Sequence, residues 1–253
     1  MYYIDYAGSP VFYVFRNSKT HLYFGDYLCS SVIEAADPVI VSDERMRMTL
    51  SVLNSGVPQG FAEYRSLIGL TSEALLKHHC CLFHAVSFIY RGSAWLLSAP
   101  SGTGKTTQYL NWCASYPYEI TVISGDMPVI CRREDNSVTV HPSPWNGKEK
   151  YRSHLSAPLG GIILLSQSKE NRISPVKPED AIIPVFSQFI VTPQNEFQTN
   201  SLTGIIDAML RNYPVWCLAN DGSSASTNCS GKRYKVKPST ENNETEAYSF
   251  HCL

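Results

Sequence analysis

The run AWLLSAPSGTGKTTQ, Ala94 to Gln108, constrains this chain more than any other stretch. It reads as an apolar strand, a glycine-containing loop and a helix start, with lysine and threonine at the turn into the helix. The string from Ala99 to Thr106 fits the phosphate-binding loop pattern. Such a loop aims backbone N–H groups at a phosphate chain, here those of Ser101, Gly102, Thr103, Gly104, Lys105, Thr106 and Thr107. Lys105 adds a positive charge near the outer phosphates, and the Thr106 hydroxyl is placed to hold Mg2+. Ala99 stands where the strict pattern has its first glycine, while Gly102 and Gly104 keep the tight backbone approach. A Gly/Ser turn that binds nothing has no need of Gly-Lys-Thr at a helix N-terminus.

The bulk properties exclude several classes. The 253 residues suffice for one large domain or two small ones, and 43% apolar residues permit a sizeable core. A net charge of −1 argues against gripping nucleic acid through a broad basic surface. No apolar run approaches the ~18 residues of a membrane span. The start, MYYIDYAGSP, has neither a basic leader nor a long apolar stretch. None of the eight cysteines forms a C-x-x-C pair, so zinc-ribbon and thioredoxin-like chemistry are not indicated. Several lie among apolar residues, as in LLKHHCCLFHA, and read as small buried hydrophobes. The expectation is a cytoplasmic protein with reduced thiols and no nucleic-acid or membrane partner.

Along the chain, residues 2–15 are aromatic and β-branched about Gly8-Ser9-Pro10 and predict a hairpin. Two or three further extended runs, DPVIVSD among them, are expected over residues 21–56. In TSEALLKHHCCLF, Thr71-Ser72-Glu73 could cap a helix whose leucines share a face. AVSFIY and SAWLLSA flank Arg91-Gly92 as a hairpin that feeds the loop. A helix over residues 106–115, the strand EITVIS, the pair MPVICRR and SVTVHPS, and the buried strand LGGIILLSQS follow. Helical pieces over 178–210 and a last strand, PVWCLA, complete the core. Hairpin-linked strands this numerous differ from the alternating βαβ rhythm of common nucleotide-binding sheets. The predicted fold is α/β with α+β character: a mixed, largely antiparallel sheet carrying the loop. The predicted organisation is a β-rich segment over 1–70, a core over 71–222 and a polar, disordered tail over 223–253.

Four further features bear on chemistry. Asp126 ends an apolar strand 21 residues after Lys105, where a carboxylate can reach a metal held by Thr106 or accept a proton from an attacking hydroxyl. Gly-Asp after a strand is also a common turn. His84, ahead of the strand that leads into the loop, is a second candidate, though a lone histidine among apolar residues is more often core. His78 and His79 read as solvated helix residues. The loop His141 to Arg152, HPSPWNGKEKYR, clusters Lys148, Lys150 and Arg152, and phosphoryl transfer needs cations near the transferring group. Arg172, in KENRIS, is a weaker candidate of that kind.

Taken together, these residues resemble the HPr kinase/phosphorylase-like branch of the phosphoenolpyruvate carboxykinase superfamily. The resemblance rests on His84, 21 residues before Lys105; on APSGTGKTTQ; on ISGDMPVI; on the Pro144–Glu149 loop; and on Glu170 to Ile173. It runs from about Ser72 to Ala219 and is closest to the small stand-alone bacterial members. It implies a kinase that moves the ATP γ-phosphoryl group to a serine-type hydroxyl of a protein or peptide. Asp126 would be base or metal ligand, His84 would support the aspartate or the phosphate, and Lys105 would serve the transfer. Lys148 and Arg172 would lie toward the nucleotide. Related kinases are often homo-oligomers. Two departures stand out: the family's pair of adjacent aspartates is here Gly125-Asp126, and its glycine-rich signature after the core is not evident. One carboxylate would then serve both metal and proton. A small-molecule kinase and a non-catalytic nucleotide-binding module are the alternatives.

Overall fold

The computed structural model describes residues 1–228, except residues 30, 54–55, 149–150 and 152. Strands β1 (Tyr2–Tyr6) and β2 (Ser9–Tyr13) form the first hairpin. Its turn is Ala7-Gly8, both at positive φ (60° and 85°), so Ser9 and Pro10 belong to the strand and not to the turn. A short strand, β3 (Asp37–Val39), adds to β2 in parallel and completes a three-stranded sheet. The rest of residues 21–56 corrects the expectation of extended runs. It holds two 3-10 turns, Thr20–Tyr23 and Gly25–Tyr27, and a helix, α1 (Asp43–Val52). The Ser42 side chain accepts the Arg45 N–H, and Asp43 and Glu44 occupy the first turn, which is a helix start in both capping and charge.

Helix α2 (Gln59–Leu75) begins well before Thr71. Thr71 and Ser72 lie buried in its last turns and cap nothing. The Thr71 hydroxyl meets the Tyr13 hydroxyl at 3.0 Å, and Ser72 Oγ accepts the Leu82 N–H at 3.0 Å. Their hydroxyls tie the helix to both sheets. Glu63, fully buried on α2, accepts from the backbone N–H groups of Arg16 (2.6 Å) and Asn17 (2.9 Å) and from the Thr20 hydroxyl (2.5 Å). Those three bonds satisfy a carboxylate that burial would otherwise penalise. They also fix the chain leaving the hairpin.

The second sheet holds β4 (Cys80–Leu82), β5 (Val86–Tyr90), β6 (Ser93–Ser98), β7 (Ile120–Ser124), β8 (Val129–Arg132), β9 (Val138–His141), β10 (Ala157–Gln167), β11 (Arg172–Val176) and β12 (Val215–Asn220). Helix α3 (Lys105–Ser115) follows β6; α4 (Pro178–Phe186) and α5 (Glu196–Asn212) lie between β11 and β12. The sheet is mixed and mostly antiparallel: β10 pairs in parallel with β6 and β12, and the other pairings are antiparallel. Strand β10 is shared. Its first residues pair with β9 and its later ones lie between β6 and β12. The register shifts between Leu159 and Gly161, and there Gly160 and Gly161 lie against the Trp95 ring, where a Cβ on Gly161 would come within 2.5 Å. Glycine allows the close approach and the bend.

Alternation along β6 explains the layering. Ala94 and Leu96 face a core closed by α4 and α5, while Trp95 and Leu97 face one closed by α3, with Tyr109 and Trp112. A third core joins the first sheet, α2 and the outer face of β4 and β8. Cys80 and Cys131 face each other across β4 and β8, Cα atoms 4.1 Å apart, joined as a disulfide, which corrects the expectation of reduced thiols throughout. Cys81 does behave as a buried hydrophobe, its thiol pushed up to about 12 by burial. Of the two histidines expected as solvated helix residues, His78 closes the 3-10 turn Leu76–His78 and stays partly exposed, whereas His79 lies beyond it. His78 Nε2 meets Asp37 at 2.7 Å, and His79 turns the chain at φ 55° with Nδ1 3.0 Å from Ser201 Oγ. Ser224–Asn228, expected to lack structure, form a 3-10 turn on α3, where Ser226 Oγ donates to Gln108 Oε1 at 2.7 Å; residues 229–253 lie outside the described residues. Among the described residues, no helix is long and apolar enough to cross a membrane.

Candidate active site

The strand–loop–helix read from the sequence is formed by β6, residues 99–104 and α3. Gly102 and Gly104 take φ of 82° and 106°, the left-handed region that suits glycine, and a Cβ on either would meet nothing within 4 Å. The glycines therefore serve backbone conformation and leave open space beside the loop. The loop closes on itself: the Thr103 N–H and hydroxyl both reach the Pro100 carbonyl, at 3.3 and 2.8 Å. Ser101 and Gly102 are exposed, Thr103 and Gly104 half-buried. Thr106 and Thr107 sit in the first turn of α3, half-buried and exposed respectively, where helix N–H groups lack helical partners. The Ala99 methyl is buried in the α3-side core, which explains why a side chain is tolerated where the pattern has glycine.

Lys105 is buried, and its ammonium donates to the carbonyls of Ala99 (2.7 Å) and Pro100 (3.3 Å). Burial lowers its pKa, and the nearby negative charge of Asp126 opposes that shift. Asp126 follows β7 and His84 follows β4, and the fold brings the two together. His84 Nε2 lies 3.4 Å from Asp126 Oδ1. The backbone sets this contact from several sides. The His84 N–H donates to Gln188 O (2.8 Å), Ser98 Oγ donates to His84 O (2.8 Å) and the Ala85 N–H donates to Asp126 O (2.9 Å). Lys105, Asp126 and His84 thus share the end of the sheet where β6 runs out into the loop. A cation and open helix N–H groups stand on one side. A carboxylate with an imidazole partner stands on the other. Such an arrangement can hold an anion and accept a proton beside it.

The remaining expected residues are more scattered. Arg172 is exposed on β11, at the same end of the sheet. Three strand spacings, roughly 14 Å, separate β11 from β6. Lys148 is exposed, two residues past the buried Asn146; Lys150 and Arg152 lie outside the described residues.

Sequence reasoning did not assign the wall behind Asp126. The place of a Cβ on Gly125 is filled by Asn146 O at 2.7 Å and Tyr151 Cδ2 at 2.9 Å. A second carboxylate beside Asp126 therefore has no room while this loop stays put. Asn146 is buried; its Oδ1 accepts from Ser124 Oγ (3.3 Å) and its Nδ2 donates to Tyr27 OH (3.4 Å). The P-W-N-G spacing marked the loop, but nothing in sequence links it to Tyr27.

Comparison with known proteins adds a distant likeness. No family model and no curated protein matches the chain. Among solved structures, it is similar to the Hpr(Ser) kinase/phosphatase from Coxiella burnetii, with 11% identity, a TM-score of 0.28, and coverage of 49% of this chain and 93% of that one.

Proposed function

We propose that this chain is an ATP-dependent kinase that transfers the γ-phosphoryl group to a serine-type hydroxyl of a protein or peptide. The observation that carries the reading is the meeting of Lys105 with the His84–Asp126 pair beside a loop with open backbone approach. The residues present fit the donor nucleotide. The space beside Gly102 and Gly104 is clear, and a buried ammonium whose bonds among the described residues go to two neutral carbonyls has charge left for an anion. Among the described residues, no cluster of three His, Cys, Asp or Glu forms a ready metal cage. That suits an ion bound through one carboxylate, a hydroxyl and substrate phosphates. Mg2+, when bound through Thr106 and Asp126, supplies charge neutralisation at the phosphates.

In this reading Asp126 accepts the proton of the acceptor hydroxyl, whose oxygen forms the new bond to phosphorus while ADP departs. His84 orients the Asp126 carboxylate and stabilises its negative charge. Lys105 and the N–H groups from Ser101 to Thr107 offset charge on the phosphates. A second reading, a nucleotide-binding module without transfer, draws on the filled space at Gly125, which leaves Asp126 alone.

Calorimetry with ATP, with and without Mg2+, tests the shared premise. Mg2+-dependent binding that is lost in Lys105→Ala, with the melting temperature kept, is the expected result. Wild-type protein that binds no ATP would end the kinase reading. Binding without phosphoryl transfer to any peptide would favour the second.

A further inference from the structure

The segment before the core has no role in the chemistry so far, yet one of its side chains reaches the wall of the site. Tyr27 closes the 3-10 turn Gly25–Tyr27. Its hydroxyl donates to Ser153 O at 2.9 Å, and it accepts from the Ser153 N–H (3.3 Å) and from Asn146 Nδ2 (3.4 Å). Tyr27 therefore grips the stretch between β9 and β10 at two points seven residues apart in sequence. From Asn146 the bonding continues inward. Ser124 Oγ donates to Asn146 Oδ1 at 3.3 Å, and the Asp126 N–H donates to Ser124 Oγ at 3.5 Å.

These contacts form one head-to-tail series. The donors run from the Asp126 N–H to the Ser124 hydroxyl, through the Asn146 carboxamide to the Tyr27 hydroxyl, and end on the Ser153 carbonyl. Every member accepts from the Asp126 side and donates away from it. Such a series polarises in one sense and is strengthened by its own continuity. Reversing a single hydroxyl would leave a buried donor facing a donor, so the series also specifies one arrangement. Ser124 is fully buried and Asn146 nearly so, which gives a broken link a high cost. Gly125 completes the geometry, because the absence of its Cβ lets Asn146 O and the Tyr151 ring press against the peptide just before Asp126.

We propose that Tyr27 and Asn146 are positioning residues that fix the Asp126 backbone, and so its carboxylate, through the Tyr27–Asn146–Ser124 hydrogen-bond series. The part that the first 70 residues play in the chemistry is then to set the base. The proposal deepens the kinase reading and rests on it for the word base; the geometry of the series stands without it.

Tyr27→Phe is the cleanest probe. It keeps the ring, which packs 5.2 Å from the His154 ring, and removes only the hydroxyl. The Asp126 N–H begins the series and reports its placement. Aspartates labelled with 15N, with Asp126→Asn to assign the resonance, give the Asp126 N–H chemical shift in each protein. Tyr27→Phe and Asn146→Ser are expected to move that resonance. In a transfer assay they lower kcat about tenfold to a hundredfold while KM for ATP holds, as a small misplacement of a reacting group does. Tyr64→Phe is the control. It also loses a hydroxyl bond to this stretch, to Pro144 O at 2.8 Å, but lies outside the series. An Asp126 N–H resonance unchanged by Tyr27→Phe, or moved equally by Tyr64→Phe, overturns the proposal and leaves Tyr27 as a loop anchor. A resonance that moves only with Tyr27 and Asn146 in a protein that binds no ATP supports the positioning series and sinks the kinase reading.

Discussion

The two sides of the candidate site are built in different ways. The Lys105 side is local: Ala99 to Thr107 are contiguous, and the bonds that shape the loop span three to six residues. The Asp126 side is assembled. His84 and Asp126 come from different strands, Asn146 from the stretch after β9, and Tyr27 from a segment 119 residues away from its Asn146 partner. A local loop can keep its shape under many changes elsewhere. The assembled side inherits the accuracy of every element that feeds it. In the proposed kinase reading, the local side would take the generic task, holding phosphates, and the assembled side the particular one, meeting a chosen acceptor.

The largest test of that division is Asp126→Asn. Transfer should fall roughly 10²–10⁴-fold if Asp126 is the general base. ATP binding by calorimetry should persist in part: the Lys105 side is untouched, while Mg2+ loses the Asp126 carboxylate and its contribution to affinity shrinks. Near-normal turnover would remove Asp126 from that role. Gly125→Asp probes the same side from within. It places two aspartates side by side but drives a side chain into Asn146 O and Tyr151. A loss of about 1–3 kcal/mol in denaturant unfolding is expected from the overpacking, with ATP affinity retained because Lys105, Thr106 and Asp126 are all kept. A variant as stable as wild type would show that the wall yields.

A smaller effect should come from acid. Burial, with Arg133 next, lowers the His141 pKa from the ordinary 6.5 to about 4, and Asp5 acts weakly the other way. Between those values the unfolded chain holds the proton and the folded chain does not, so stability is lost as pH falls from 6.5 toward 4. About 1–2 kcal/mol is a fair discount for this half-buried ring. Melting temperatures across that window should decline in wild type and less so in His141→Asn. His141 sits between the first hairpin and the stretch that Tyr27 grips, lining a cavity of about 200 Å3 with Tyr27 and His154. Acid should therefore disturb the assembled side before the loop.

The same contrast explains what could be read from sequence. Arg91-Gly92, Gly102 and Gly104 announce their turns because positive φ is a local demand that glycine meets locally. His84 and Asp126 were legible as candidates through their spacing from Lys105, and the fold brings them to 3.4 Å. Asn146, Ser124 and Tyr27 were not, since a hydrogen bond across 119 residues leaves no pattern in a single chain. Thr71 and Ser72 misled for a related reason. Hydroxyls that suit a helix cap were recruited instead by Tyr13 and Leu82 from other elements. Strand β11 is short, holds Pro175 and exposes much of itself, so its pairing with β12 gave no apolar signal.

The shared strand β10 also has a consequence in time. Parallel pairing requires a crossover, and β6 waits for a parallel partner that begins at Ala157, 42 residues beyond the end of α3 at Ser115. As the chain leaves the ribosome from its N-terminus, the whole motif from Ala99 to Thr106 is synthesised well before the strand that flanks it. A nascent chain halted short of β10 would carry every residue of the loop and only the β5 hairpin to hold it. The sheet that frames the loop should therefore close late and abruptly during synthesis, with the first sheet already waiting.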